Sequence, residues 1–376
     1  MANGNQGRRI QPKRGSLDVP FLLLTLVLVT LGVIMMYSAS YARAYKDYAN
    51  AQYYFVRQLA FALGGVVVMM VASYYPYDRL RKWSLPLYVV CAGLLLVVLA
   101  IGRSSHGAQR WIAVGPITIQ PSEIAKFTIV LLFANMASRY REKMQEAKYG
   151  LWPFLALLGL IALLTLAERH LSATIILCLI GAVMMFLGGA KIKWFVYFGA
   201  AAVVLAVGYL LLFGYASDRI TAWLDPWKDV SDKGYQIVQS LYAIGSGGLF
   251  GLGFGRGRQK YLYLPEEHND YVFSIICEEL GFVGAALILL LFILLIWRGY
   301  WIAMHAKDRF GALLAAGITT LLAIQVFFNI GVVSNFLPST GISLPFFSYG
   351  GTALLMQLGE MGIVLSVSRD CDNNLL

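Results

Sequence analysis

Long apolar runs recur along almost the whole sequence, at Val19–Tyr37, Tyr54–Ser73, Leu85–Ile101, Ile124–Ala137, Phe154–Ala167, Ala173–Leu187, Trp194–Phe213, Tyr271–Trp297, Ala312–Phe328 and Thr352–Val367. A helix crossing the hydrocarbon core of a bilayer needs about 20 such residues, and fewer where flanking polar side chains snorkel. The runs are too long and unbroken for barrel strands. They predict an all-α, polytopic membrane bundle of about ten transmembrane helices. The composition agrees, since 59% hydrophobic and 13% charged residues exceed what a soluble domain tolerates on its surface.

Lysine and arginine cluster on alternate connections. Arg8, Arg9, Lys13 and Arg14 precede the first run; Arg79, Arg81 and Lys82 follow the second; Arg139, Arg141, Lys143 and Lys148 follow the fourth. Lys191, Lys193, Arg298, Lys307 and Arg309 continue the alternation. Short cytoplasmic connections retain positive charge, so both termini are expected in the cytoplasm. The chain then divides into a basic cytoplasmic tail over 1–17, a transmembrane domain over 18–368 and a cytoplasmic tail over 369–376. A large extracytoplasmic loop over 214–270 precedes the eighth helix. The first run exceeds a signal-peptide core, which points to an uncleaved anchor. The net charge of +10 is dispersed over several loops and a tail, which fits membrane topology and anionic lipids and not nucleic acid. Cys91, Cys178 and Cys277 fall within predicted helices and Cys371 in the tail, which suggests neither a disulfide framework nor a zinc motif.

Chemistry on a water-exposed head group is expected on the one long polar segment. Trp223, Pro226 and Trp227 suggest a stretch resting at the interface, and Tyr235–Ile244 has the spacing of a helix lying along the surface. In Gly245–Lys260, glycines let backbone N–H groups approach an anion, while Arg256, Arg258 and Lys260 supply positive charge. That stretch reads either as a phosphate site or as a turn whose cations touch lipid phosphates. The segment closes in Leu264–Phe273, which sets Asp270 at the mouth of a membrane helix. Asn269 could cap that helix, with Asp270 favoured by the helix dipole. The same carboxylate could accept a proton from an attacking hydroxyl, with His268, Glu266 and Glu267 as rival bases. Glu123, Lys126, Glu278, Glu279 and Glu360 are charges within predicted spans, costly unless paired or facing a wet cavity. Glu123 and Lys126, three apart, share a helix face and form a local ion pair or line such a cavity.

Six segments, in order, carry a resemblance along nearly the whole chain. They are Gly107–Ile112, Gln120–Lys126, Gly234–Ser240, the glycine run, Leu264–Phe273 and Pro338–Gly351. Together they resemble the SEDS family (shape, elongation, division and sporulation). Gly331–Gly351 is more similar to its FtsW division type and sporulation relatives than to its RodA elongation type. The resemblance implies a peptidoglycan glycosyltransferase that polymerises lipid II into glycan strands on the outer face of the bacterial cytoplasmic membrane, releasing undecaprenyl pyrophosphate. It implies Asp270 as general base, with Arg110 and Trp111 shaping the cleft and the Glu123 and Lys126 pair and His268 supporting it. Arg256, Arg258 and Lys260 would then stabilise the pyrophosphate, with Mg2+ or Mn2+ as a candidate divalent cation. The implied partners are a class B penicillin-binding protein transpeptidase and other divisome or wall-synthesis proteins. The broken or re-entrant backbone expected around Pro338, Gly341, Pro345, Ser348, Gly350 and Gly351 is tolerable at membrane depth only when buried by protein. One departure stands out: where the family commonly has Glu or Gln, Pro and Asp before the sixth helix, this chain has Glu168, Arg169 and His170. The competing readings are a lipid II flippase, in which the intramembrane charges would matter most, and a scaffold without catalysis.

Overall fold

A computed structural model describes residues 15–105, 108–114, 117–197, 199–200, 222–232 and 234–371. Helix α1, Val19–Tyr48, starts where the Asp18 carboxylate accepts from the Phe21 N–H, and it ends at Ala49 in the left-handed region. At 1.5 Å per residue its 30 residues reach about 45 Å, past the hydrocarbon core. Helix α2 is Tyr53–Tyr74 and α3 is Leu80–Ile101, after one 3-10 turn. A small antiparallel sheet follows, with β1 Arg103–Ser105, β2 Ala108–Val114 and β3 Ile117–Ile119 in the order β1-β2-β3. Its register pairs Arg103 with Trp111 and Ile112 with Ile119. The apolar runs gave no hint of this sheet, because it lies in a connection and holds Arg110 and Trp111 on a strand.

Helix α4, Pro121–Tyr140, has 14 of its 20 residues buried. It packs against α3, α6 and α9, and its polar Glu123, Lys126 and Asn135 meet protein where a peripheral helix would meet lipid. Helices α5, Trp152–Ala167, and α6, Leu171–Leu187, follow. Residues 192–197 and 199–200 are helical, and the rest of the seventh predicted span, to Phe213, lies outside the described residues, as do the basic tail to Arg14 and the last five residues. Helix α7, Tyr235–Ser246, is the expected surface helix. It turns Ile237, Val238, Ser240 and Ala243 inward, and its Ser240 hydroxyl reaches Ser274 and the Val333 carbonyl, each at 2.7 Å. Helix α8 is Val272–Met304, α9 is Arg309–Val333 and α10 is Gly351–Ser368. Gly281, at φ 67°, breaks α8. Between α9 and α10 the chain runs without helix through residues 338–350, the broken or re-entrant backbone expected there, and the hydroxyl of Ser348 accepts from the Leu344 N–H.

Candidate active site

Asp270 stands half-buried just before α8, and two other segments fix its position. Asn329 of α9, fully buried, donates from Nδ2 to the carbonyl of Asp270 and to that of Ile342, both at 2.7 Å. Gly341 has φ +67°, and a Cβ there would lie 3.0 Å from Asp270 Oδ2. The carboxylate therefore rests on backbone that only glycine presents without strain. Tyr349 N–H donates to the carbonyl of His268 at 2.9 Å, which ties the far end of the re-entrant segment to the same loop. The expected cap is absent: Tyr271 is the N-cap of α8 and makes no side-chain cap bond, while Asn269 Nδ2 donates to Glu266. Burial raises the Asp270 carboxyl to about 6, the charge on Glu266 adds to this, and His268 and Arg110 oppose it.

Arg110 connects the remaining groups. Its Nη2 donates to the carbonyl of Arg169 at 2.8 Å, and its charge acts on Asp270, Glu168 and His170. Trp111 is half-buried beside it. Lys126 Nζ meets Glu123 Oε2 at 2.7 Å as the predicted local pair, and the Lys126 charge also reaches His170. Burial raises the Glu168 carboxyl to about 8, against the pull of Arg110. The same effect lowers His170 to about 3, with Arg110 and Lys126 adding to it. Ser172 donates to the carbonyl of Thr340, which joins this turn to the segment under Asp270. His268 is buried, its ring 4.8 Å from that of Tyr54 and 6.0 Å from that of Tyr349.

The glycine run has a different occupant from the one its pattern suggested. Its backbone does cradle anions, but they are Glu278 and Glu279 of α8. Arg258 N–H donates to Glu278 Oε1 at 2.7 Å, Gln259 N–H to the same carboxylate at 3.2 Å, and Gly255 N–H to Glu279 Oε2 at 3.0 Å. The run also splints the break in α8. Leu252 and Gly253 donate to the carbonyls of Glu278 and Glu279, and Phe282 and Val283 donate to those of Gly248 and Leu249. Backbone groups freed by a broken helix at membrane depth need such partners. Lys260, 3% exposed, donates from Nζ to Glu279 Oε1 at 2.7 Å and to the Ser38 hydroxyl at 2.9 Å. This corrects its expected role, because an ammonium held in a buried pair is not free to meet pyrophosphate. Arg256 and Arg258 are exposed. Among the described residues no three His, Cys, Asp or Glu side chains converge on one position.

Sequence reading missed Asn329 and Ser172. Asn329 is an amide one residue past the run that ends at Phe328 and still within α9, so the rule that picked out the intramembrane charges applies to it equally.

A helical bundle with a half-buried acid seated on a re-entrant segment at one end defines a polytopic membrane protein with a polar site at its surface. This chain belongs to the SEDS family: residues 19–373 match the model described as "Cell cycle protein", which joins FtsW, RodA and SpoVE. It is 42% identical over 359 residues to stage V sporulation protein E of Bacillus subtilis, covering 95% of this chain and 98% of that one. It is 38% identical over 353 residues to the probable peptidoglycan glycosyltransferase FtsW of Geobacter sp. (strain M18), covering 93% and 96%. Among solved structures it resembles a chain of a peptidoglycan synthase complex, with TM-score 0.79, 29% identity and coverage of 96% and 99%. It also resembles the rod shape determining protein RodA of Thermus thermophilus, with TM-score 0.68, 27% identity and the same coverage. The identities fall from the sporulation and division relatives to RodA, in the order expected from Gly331–Gly351.

Proposed function

We propose that this protein is a peptidoglycan glycosyltransferase that polymerises lipid II at the outer face of the bacterial cytoplasmic membrane. The observation that carries the chemistry is Asp270, a carboxylate held by Asn329 and Gly341 and poised near pH 6. In the step we assign to it, Asp270 accepts the proton of a sugar 4-hydroxyl as that oxygen attacks the anomeric carbon of the growing strand. The new C–O bond forms as the bond to undecaprenyl pyrophosphate breaks, with inversion. A general base whose pKa lies just below the working pH is both ionised and basic enough to help. Pyrophosphate is a good leaving group, so a partner acid is not required. Arg110 and Trp111 would border the acceptor. The Glu123 and Lys126 pair would support that wall, as would His268 between its two tyrosines. The exposed Arg256 and Arg258 would meet phosphate charge at the surface.

The partner we assign is a class B penicillin-binding protein. The eighth span offers its membrane helix an apolar face, with Phe282, Leu287, Leu290, Ile293 and Trp297 exposed. The ninth is largely buried in the bundle.

The test is lipid II polymerisation by the purified protein with its cognate transpeptidase, comparing wild type with Asp270→Asn. Glycan strands from wild type and none from the folded, partner-bound variant are expected. Strands from both would remove Asp270 as the base, and none from either would favour a flippase.

A further inference from the structure

The turn between α5 and α6 holds polar groups that the fold leaves unused. Glu168 is 2% exposed and His170 6%, yet both carboxylate oxygens of Glu168 and Nδ1 of His170 have no hydrogen-bond partner. The buried hydroxyl of Thr340, on the re-entrant segment, has none either. Buried polar groups without partners are rare because desolvation is not repaid. A single one could be a packing accident, but these groups come from two separate segments and are linked to the same place. The carbonyl of Arg169 accepts from Arg110, Ser172 donates to the carbonyl of Thr340, and the next residue, Gly341, underlies the Asp270 carboxylate. The unused atoms therefore border the Arg110 and Asp270 region.

The charge state restricts what could complete them. Burial raises Glu168 to about 8 and lowers His170 to about 3. Near neutral pH the turn thus offers a neutral carboxylic acid and a neutral imidazole, which both donate and accept. Glu168 and His170 then add no charge of their own beside Arg110, and hydroxyl and amide groups would find hydrogen-bond partners in them.

We propose that Glu168, His170 and Thr340 form a subsite beside Asp270 for the uncharged, hydroxyl- and amide-bearing face of a saccharide, the acceptor sugar of the reaction proposed above, on which this inference rests. The departure of this chain from the family pattern at Glu168–His170 then falls within the substrate contacts.

The test uses the full chain with Asp270→Asn as a non-turnover parent. It measures affinity for lipid II, affinity for undecaprenyl pyrophosphate, which has no sugar, and thermal unfolding. Adding Glu168→Leu or Thr340→Val should weaken lipid II binding about tenfold or more, the scale of a lost buried hydrogen bond. Binding of undecaprenyl pyrophosphate should not change, and the melting temperature should stay level or rise. Glu168→Gln, a neutral isostere, should retain most of the affinity, and it carries the test with Thr340→Val if the leucine variant does not fold. Unchanged lipid II binding would mean a water-filled pocket only, and equal loss for both ligands would mean a structural role; either overturns the inference. Failure of the parent to bind lipid II would overturn the proposed function itself.

Discussion

Burial and Glu266 push the Asp270 carboxyl up, while His268 and Arg110 pull it down, leaving it near 6. As a base it must be ionised, so polymerisation should be present above about pH 6 and fall away below it, which initial rates across pH would record. Glu266→Gln removes a raising charge and should move that acid limb to lower pH. Arg110→Met removes a lowering one and should move it to higher pH; a limb that stays put in both variants would mean another group titrates. The linkage sign is the reverse of a salt-bridged acid. A carboxylate whose folded pKa lies above its unfolded value of 3.8 opposes folding when ionised. Asp270→Asn should therefore not lower the melting temperature at pH 7 while it abolishes turnover. Asn329→Ala leaves two buried carbonyls without their donor, at about 1–3 kcal/mol each. It should also lower kcat with little change in KM, whereas a purely structural role would lower the folded fraction and leave kcat per folded molecule unchanged. Asp270 itself was legible, because an acid between a polar loop and an apolar run is visible in one dimension. Its supports were not, since Asn329 and Gly341 come from segments 59 and 71 residues further along.

At the scale of elements, the glycine run and the broken helix explain each other. Gly251 has φ +78°, and a Cβ there would fall 2.1 Å from the carbonyl oxygen of Glu279; at Gly281 one would fall 2.2 Å from the Gly251 nitrogen. The two backbones approach so closely that neither position accepts a side chain. Within this contact the pair of Lys260 and Glu279 is fully desolvated, and breaking such a pair from one side costs about 3–5 kcal/mol. Lys260→Met should therefore lower stability by about that much, measured by thermal or denaturant unfolding in detergent. Combining it with Glu279→Gln should recover most of the loss, because the amide oxygen can still accept from Ser38 and Gly255. Were Lys260 chiefly a phosphate ligand, the single variant would weaken substrate binding and leave unfolding unchanged. Both partners were visible in the sequence, the glycines as an anion cradle and the two acids as intramembrane charges. Residue spacing carries no record of which distant anion a backbone nest will hold, and so the substrate phosphate stood in for Glu278 and Glu279.

Over the whole molecule, contacts sort the connections to two ends. At one end Arg298 Nη2 meets Asp18 at 2.8 Å, Gly15 N–H meets the Arg369 carbonyl, Arg81 meets Asp308, and Arg309 donates to the Gly188 carbonyl at 2.8 Å. At the other, Asp270, Arg110, Arg169 and the re-entrant segment come together, and Trp223 Nε1 donates to the Asn335 carbonyl at 3.1 Å. The described residues flanking the seventh predicted span thus lie at opposite ends, Gly188 with the basic cluster and Trp223 with Asp270. This two-ended sorting was legible because it follows from run length and charge bias alone. Which connection would form a sheet was not, since β1 to β3 are short and carry no long alternation. From the retention of positive residues on the cytoplasmic side we propose that the Arg81, Arg298 and Arg309 end faces inward and Asp270 outward. Cysteine labelling in intact cells with a membrane-impermeant maleimide tests this, on a variant whose four native cysteines are replaced. Ser231→Cys, in the loop before α7, should label without permeabilisation, and Lys143→Cys, after α4, only with it. The reverse pattern would put Asp270 in the cytoplasm, away from any outer-face acceptor, and would defeat the polymerase assignment whatever the site geometry.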